Sequence, residues 1–195
     1  MSSIVIAGNT SGAITIAAPA EAGLNTLTLP ASTGTLATTA DIPAGGKILQ
    51  VVSLTSELTF STTSATAQNT GISLAITPTS STSKVLVIVS ASLSGTASSL
   101  PACGIRRDTT IIGAGTAVGS RRSVSSANGI GNVSTVETSP ITHLDSPATT
   151  AATTYHITIS SRSGYTANLN QSNSNVNADY TVSPVSSITL MEIGA

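Results

Sequence analysis

Among the 195 residues, seven Lys or Arg stand against eight Asp or Glu, so charged side chains make up 8% of the chain and the net charge is −1. That share is about a third of the usual one, and it excludes an electrostatic nucleic-acid binder, which needs a basic stripe to displace counterions. Mean hydropathy of +0.32, 39% apolar residues and 32 each of Ser and Thr exclude a disordered chain, which requires low hydrophobicity and high charge.

The first 44 residues are short apolar alternations broken by turn residues. Ile4-Val5-Ile6 precedes Gly8-Asn9, Ile14-Thr15-Ile16 precedes Pro19, and Leu27-Thr28-Leu29 precedes Pro30 and Gly34. Each is too short to bury a core alone. The pattern predicts a stem or docking arm over 1–44, stabilised when identical copies wrap around one axis, with a head domain over 45–195. No basic segment followed by an apolar one opens the chain, so no secretory signal is expected.

From Lys47 the alternation lengthens. Ile48, Val52, Leu54, Leu58 and Phe60 fall on even positions, a period of two that predicts a strand with one apolar face. Ile72, Leu74 and Ile76 repeat the pattern until Pro78 stops it, and a Ser/Thr-rich turn over 79–83 follows. In Val85-Leu86-Val87-Ile88-Val89 both faces are apolar, so one side is expected to meet the core and the other, through Leu86 and Ile88, a neighbouring subunit. This is the longest apolar run, far short of a membrane span. Cys103 is the single cysteine, which rules out an intrachain disulfide and reads as an inert packed thiol.

Two polar regions come next, both read as long surface loops. One runs from Gly113 to Pro140, with Arg106-Arg107 and Arg121-Arg122 near its start; the other runs from Ser163 to Pro184 and is rich in Asn. Between them Tyr155, Ile157 and Ile159 alternate with His156, Thr158 and Ser160, and 187–193 forms a last strand. Strands of this kind with Gly, Pro, Asn and Ser at the breaks predict an all-β fold: a short extended stem, then a jelly-roll-like antiparallel β-sandwich.

Leu27-Thr28-Leu29-Pro30-Ala31-Ser32-Thr33-Gly34-Thr35-Leu36-Ala37 resembles a stem motif of phage tail fibres and other virion appendages. The head is similar to phage fibre heads through five segments in order: Lys47 to Val52, Ile76 to Leu86, Gly104 to Asp108, Leu144 to Pro147 leading to Tyr155, and Ser187 to Ile193. The resemblance implies a trimeric β-sandwich of the tumour-necrosis-factor type, a virion partner for the stem, and no catalysis. A stem of about forty residues favours a short spike, a small tail appendage or a capsid decoration over a long fibre.

Chemistry-bearing residues are few. His143, Asp145 and Ser146 are close in sequence, but one short extended segment cannot place a base between nucleophile and acid; Asp145 reads as the cap of the Ser146-Pro147 turn. His143 and His156 could share a metal if their strands pair, although nothing in their spacing requires it. No carboxylate pair suggests glycoside hydrolysis, and no cofactor is expected. Arg106 and Arg107 read as trimer-interface residues forking carboxylates across subunits, with Asp108, Glu137 and Asp145 as candidate partners; the alternative is an anion site for an envelope polymer. Tyr165, Asn168, Asn170, Asn173 and Tyr180 are the candidate contacts to a bacterial surface glycan, since rings stack on sugars and amides bond their hydroxyls. The expected role is a homotrimeric tail fibre or spike head serving assembly and host-surface recognition. The alternative is a capsid cement protein, and a more remote one an envelope-polysaccharide-degrading enzyme.

Overall fold

Interleaving Val, Ile and Leu with Ser and Thr produces strands and no helix in the described residues of a computed structural model, namely 3–7, 13–17, 46–130, 132 and 134–195. The chain divides into two units, Met1–Asp41 and Ile42–Ala195. In the first, β1 (Ser3–Ala7) and β2 (Ala13–Ala17) pair antiparallel, with Ser3 opposite Ala17 and Ala7 opposite Ala13. The Leu27 to Ala37 motif lies outside the described residues.

The second unit is an antiparallel β-sandwich. One sheet is built around the long strand β6 (Lys84–Gly95), which pairs along one edge with β13 (Ser186–Ile193) and then β12 (Ala167–Leu169), and along the other with β10 (Glu137–Asp145). Beyond β13 lies β3 (Ile48–Ser56), and beyond β12 lies β4 (Phe60–Thr62). The facing sheet runs β5 (Gln68–Ile76), β11 (Thr153–Ser160), β7 (Ala102–Arg107), then β8 (Thr110–Ile112) and β9 (Ser126–Ala127) on the same edge of β7. The chain crosses repeatedly between the sheets, from β5 to β6 to β7 and from β10 to β11 to β12.

Alternation decides what fills the space between the sheets. Val85, Val87, Val89 and Leu93 of β6, Ile188 and Leu190 of β13, and Leu169 of β12 meet Ile72 and Ile76 of β5, Tyr155, Ile157 and Ile159 of β11, and Cys103 and Ile105 of β7. The even-numbered face expected from Ile48 to Phe60 does turn inward at Val52, Leu54 and Phe60, but the run breaks into two strands around Glu57. Gly71 stands where β5 slips register against β11. Its φ of +91° is one that L side chains rarely adopt, and a Cβ there would come within 2.8 Å of Leu58 Cδ2.

Both regions expected to be loops contain strands. Glu137 to Pro140 belongs to β10, which pairs with β6 alone, so Pro140 sits on an edge where its missing N–H interrupts no second ladder. Within Ser163 to Pro184, Ala167–Leu169 is β12, buried beside β6.

Candidate functional site

The inward face of β10 carries Ser139, His143 and Asp145, with apolar Ile141 between the first two. Asp145 is not a turn cap. Arg107 Nη1 donates to both of its oxygens at 2.8 Å, and the Tyr155 hydroxyl donates to Oδ2 at 2.7 Å. Tyr155 is the aromatic ring at the centre of the core, and its buried O–H requires an acceptor. Burial first, and then the bond to Asp145, push its pKa upward, so the phenol keeps its proton. The bond that Arg107 itself donates to Asp145 raises the pKa of Arg107. This trio ties β7, β10 and β11 together and offers no free nucleophile.

Within the chain, the carboxylate partner of Arg107 is Asp145, one of the three candidates the sequence offered. Arg106 is also engaged within the chain, donating to Asn69 Oδ1 at 2.8 Å and to the Ala67 carbonyl at 3.0 Å. Arg122 reaches Ser160 Oγ and the Leu100 carbonyl. Flat guanidiniums act here as staples between strands and loops. His143 and His156 lie on strands of different sheets, β10 and β11, which do not pair. Cys103 is buried, and burial pushes its thiol up to about 12, as suits an inert packing residue.

The expected glycan contacts separate into two groups. Asn168 and Asn170 are buried and hold the loop in place. Asn168 donates to Ser94 Oγ and Asn173 Oδ1 and accepts from Ser61 Oγ at 2.7 Å. Asn170, at φ +56°, donates to the carbonyls of Ser56 and Leu58 at 2.9 and 3.0 Å and accepts from Ser186 Oγ. Asn173 is half-buried against Asn168. Tyr165 is half-buried with the Arg162 guanidinium 4.8 Å over its ring, whereas Tyr180 is 61% exposed.

Beside Asn170 the chain forms a polar hollow of about 380 Å³ lined by Glu57, Thr59, Asn170, Gln171, Asn175, Ser183 and Pro184. Its walls are the turn between β3 and β4 and the segment between β12 and β13. Of these residues, only Asn170 was among the expected contacts. Asn175 and Pro184 lie in the Asn-rich region, but Glu57 comes from more than a hundred residues earlier in the chain, and no spacing rule connects it to them.

A second surface feature covers the outer face of the β6 sheet. Val51, Met191, Leu86 and Leu144 stand opposite one another on β3, β13, β6 and β10, forming one apolar row across four strands. Val51 is 54% and Leu144 48% exposed. The next row is Ser53, Thr189, Ile88 and Thr142, with Ser53 and Thr189 hydroxyls 2.8 Å apart. Among the described residues of these rows there is no charge. Neither a protein-family model nor a curated protein matches the chain.

Proposed function

We propose that the chain is a non-enzymatic structural protein of a phage virion, a homotrimeric fibre or spike head that serves assembly and host-surface recognition, held to another virion protein through its N-terminal segment. The observation that carries this reading is the uncharged apolar row of Val51, Met191, Leu86 and Leu144 on the outer sheet face, flanked by Ile88. Contiguous exposed apolar surface of this kind marks an interface, and a net charge of −1 in 195 residues gives little protection to a free monomer. The resemblance of the stem and head segments to phage fibres supplies the virion context.

Light scattering on the purified chain is expected to give three chains per particle. Leu86→Lys combined with Ile88→Lys is expected to give monomers with an unchanged strand content. A clean monomer of the unmodified chain at micromolar concentration overturns the trimer. Quantitative mass spectrometry of phage particles, scaled to the major capsid protein, tests the location: tens of copies fit the tail, hundreds fit a capsid cement protein, and none overturns the virion reading.

A further inference from the structure

We infer that the hollow between the β3–β4 turn and the segment leading into β13 binds an amino-bearing sugar, with Glu57 taking the ammonium group and Thr59, Asn175 and Ser183 the hydroxyls. This deepens the recognition part of the reading above and rests on it. A volume of about 380 Å³ lies within the range of small-ligand sites, about 300–1,000 Å³. The lining is polar where a drug-like pocket would be apolar, which suits a ligand covered in hydroxyls.

The lining residues divide by how far their hydrogen-bonding capacity is already used. Asn170 is committed, with both donors and its acceptor bound within the chain, so it is the floor. Gln171 donates to Ser61 Oγ at 2.8 Å and is half committed. Asn175 makes one long bond of 3.4 Å to Gln171 Oε1, leaving its carbonyl and a second N–H free. Thr59 and Ser183 contribute hydroxyls that can donate or accept. Glu57 has no ion-pair partner among the described residues, and no Lys, Arg or His lines the hollow.

One carboxylate without a cation decides the charge of the ligand. A uronic or sialic acid would bring a second negative charge beside Glu57 with nothing to neutralise it, whereas a protonated amine forms a charge-assisted bond there. The polar neighbours distinguish a sugar amine from a simple one, because only a ligand with hydroxyls can bond Thr59, Asn175 and Ser183 as well as Glu57.

The test is calorimetric titration of the full chain with chitotriose (a glucosamine trisaccharide), maltotriose, trigalacturonate and cadaverine. Chitotriose is expected to bind most tightly, and trigalacturonate not at all. Glu57→Gln is expected to weaken chitotriose by about tenfold, the loss of one charge-assisted bond, while leaving maltotriose unchanged. Asn175→Gly removes the amide at a position whose φ of +37° suits glycine, and is expected to weaken both sugars. Equal binding of cadaverine, binding of trigalacturonate, no binding of chitotriose, or no effect of Glu57→Gln each overturns the site. A chain that binds chitotriose through Glu57 yet is absent from phage particles supports the site and overturns the virion reading alone.

Discussion

Glu192 is a carboxylate on the inward face of β13, fully buried and still ionised. Burial by itself would raise its pKa, but three donated bonds and the nearby Ser83 side chain outweigh that cost. Gln50 Nε2 reaches Oε2 at 2.7 Å, and the Thr79 N–H and hydroxyl both reach Oε1 at 2.7 Å, while the Ser83 side chain adds to the pull; together they hold the pKa at about 2 against an ordinary 4.5. The carboxylate thereby ties the turn after β5 to the last strand. Because the folded-state value lies below the unfolded one, its contribution is complete above about pH 4.5 and is lost as pH falls toward 2. Denaturant unfolding followed between pH 5 and 2 is expected to show this slope, and Glu192→Gln to flatten it. Glu192→Ala, which strands the Thr79 donors, is expected to cost about 2–3 kcal/mol at neutral pH. An unchanged slope in the Gln variant would locate the acid sensitivity elsewhere.

At the scale of elements, Asn170 does for three strands what Glu192 does for a turn. Its side chain bonds the exit of β3 and the entry of β13, and its N–H donates to the Ser92 carbonyl of β6 at 2.9 Å. Asn170→Ala loses the side-chain bonds, leaves the Ser56 and Leu58 carbonyls without that donor and puts a Cβ-bearing, non-amide residue at φ +56°. The expected loss is about 2–3 kcal/mol in equilibrium unfolding, a substantial share of the total for a domain of this size. A loss below about 0.5 kcal/mol would mean that backbone bonds alone hold this corner. The role was invisible in the sequence, where Asn170 is one of several asparagines in a polar stretch. Strand β10 was hidden for a related reason. Pro140 argues against a strand, and only the edge position makes it harmless. By contrast β5, β6, β11 and β13 were legible, since Ile72, Val85, Tyr155 and Ile188 each begin or continue an alternation that burial then follows.

For the molecule as a whole, the unit from 42 to 195 closes its own core between two sheets, and its N- and C-terminal strands β3 and β13 pair with each other. Gly194 then accepts from the Gly46 N–H and donates to the Lys47 carbonyl, both at 2.8 Å, fastening the start of the head to its end. Deleting residues 1–44 is therefore expected to leave the head folded, with the same thermal transition, and, on the function proposed above, to detach it from virions. Unfolding on deletion would move the domain boundary.

The sequence by itself determined that this is an all-β chain, which faces of its main strands turn inward, and that Cys103 is a packing residue, because alternation is a property of neighbouring residues. The tertiary structure alone decided that Arg107 meets Asp145, that Asn170 meets Ser56 across 114 positions of chain, and that Glu57 joins Asn175 around one hollow. It also lined up Val51, Met191, Leu86 and Leu144. Each of these depends on the register between distant strands, and shifting that register by one residue leaves the local pattern intact while sending every side chain to the opposite face.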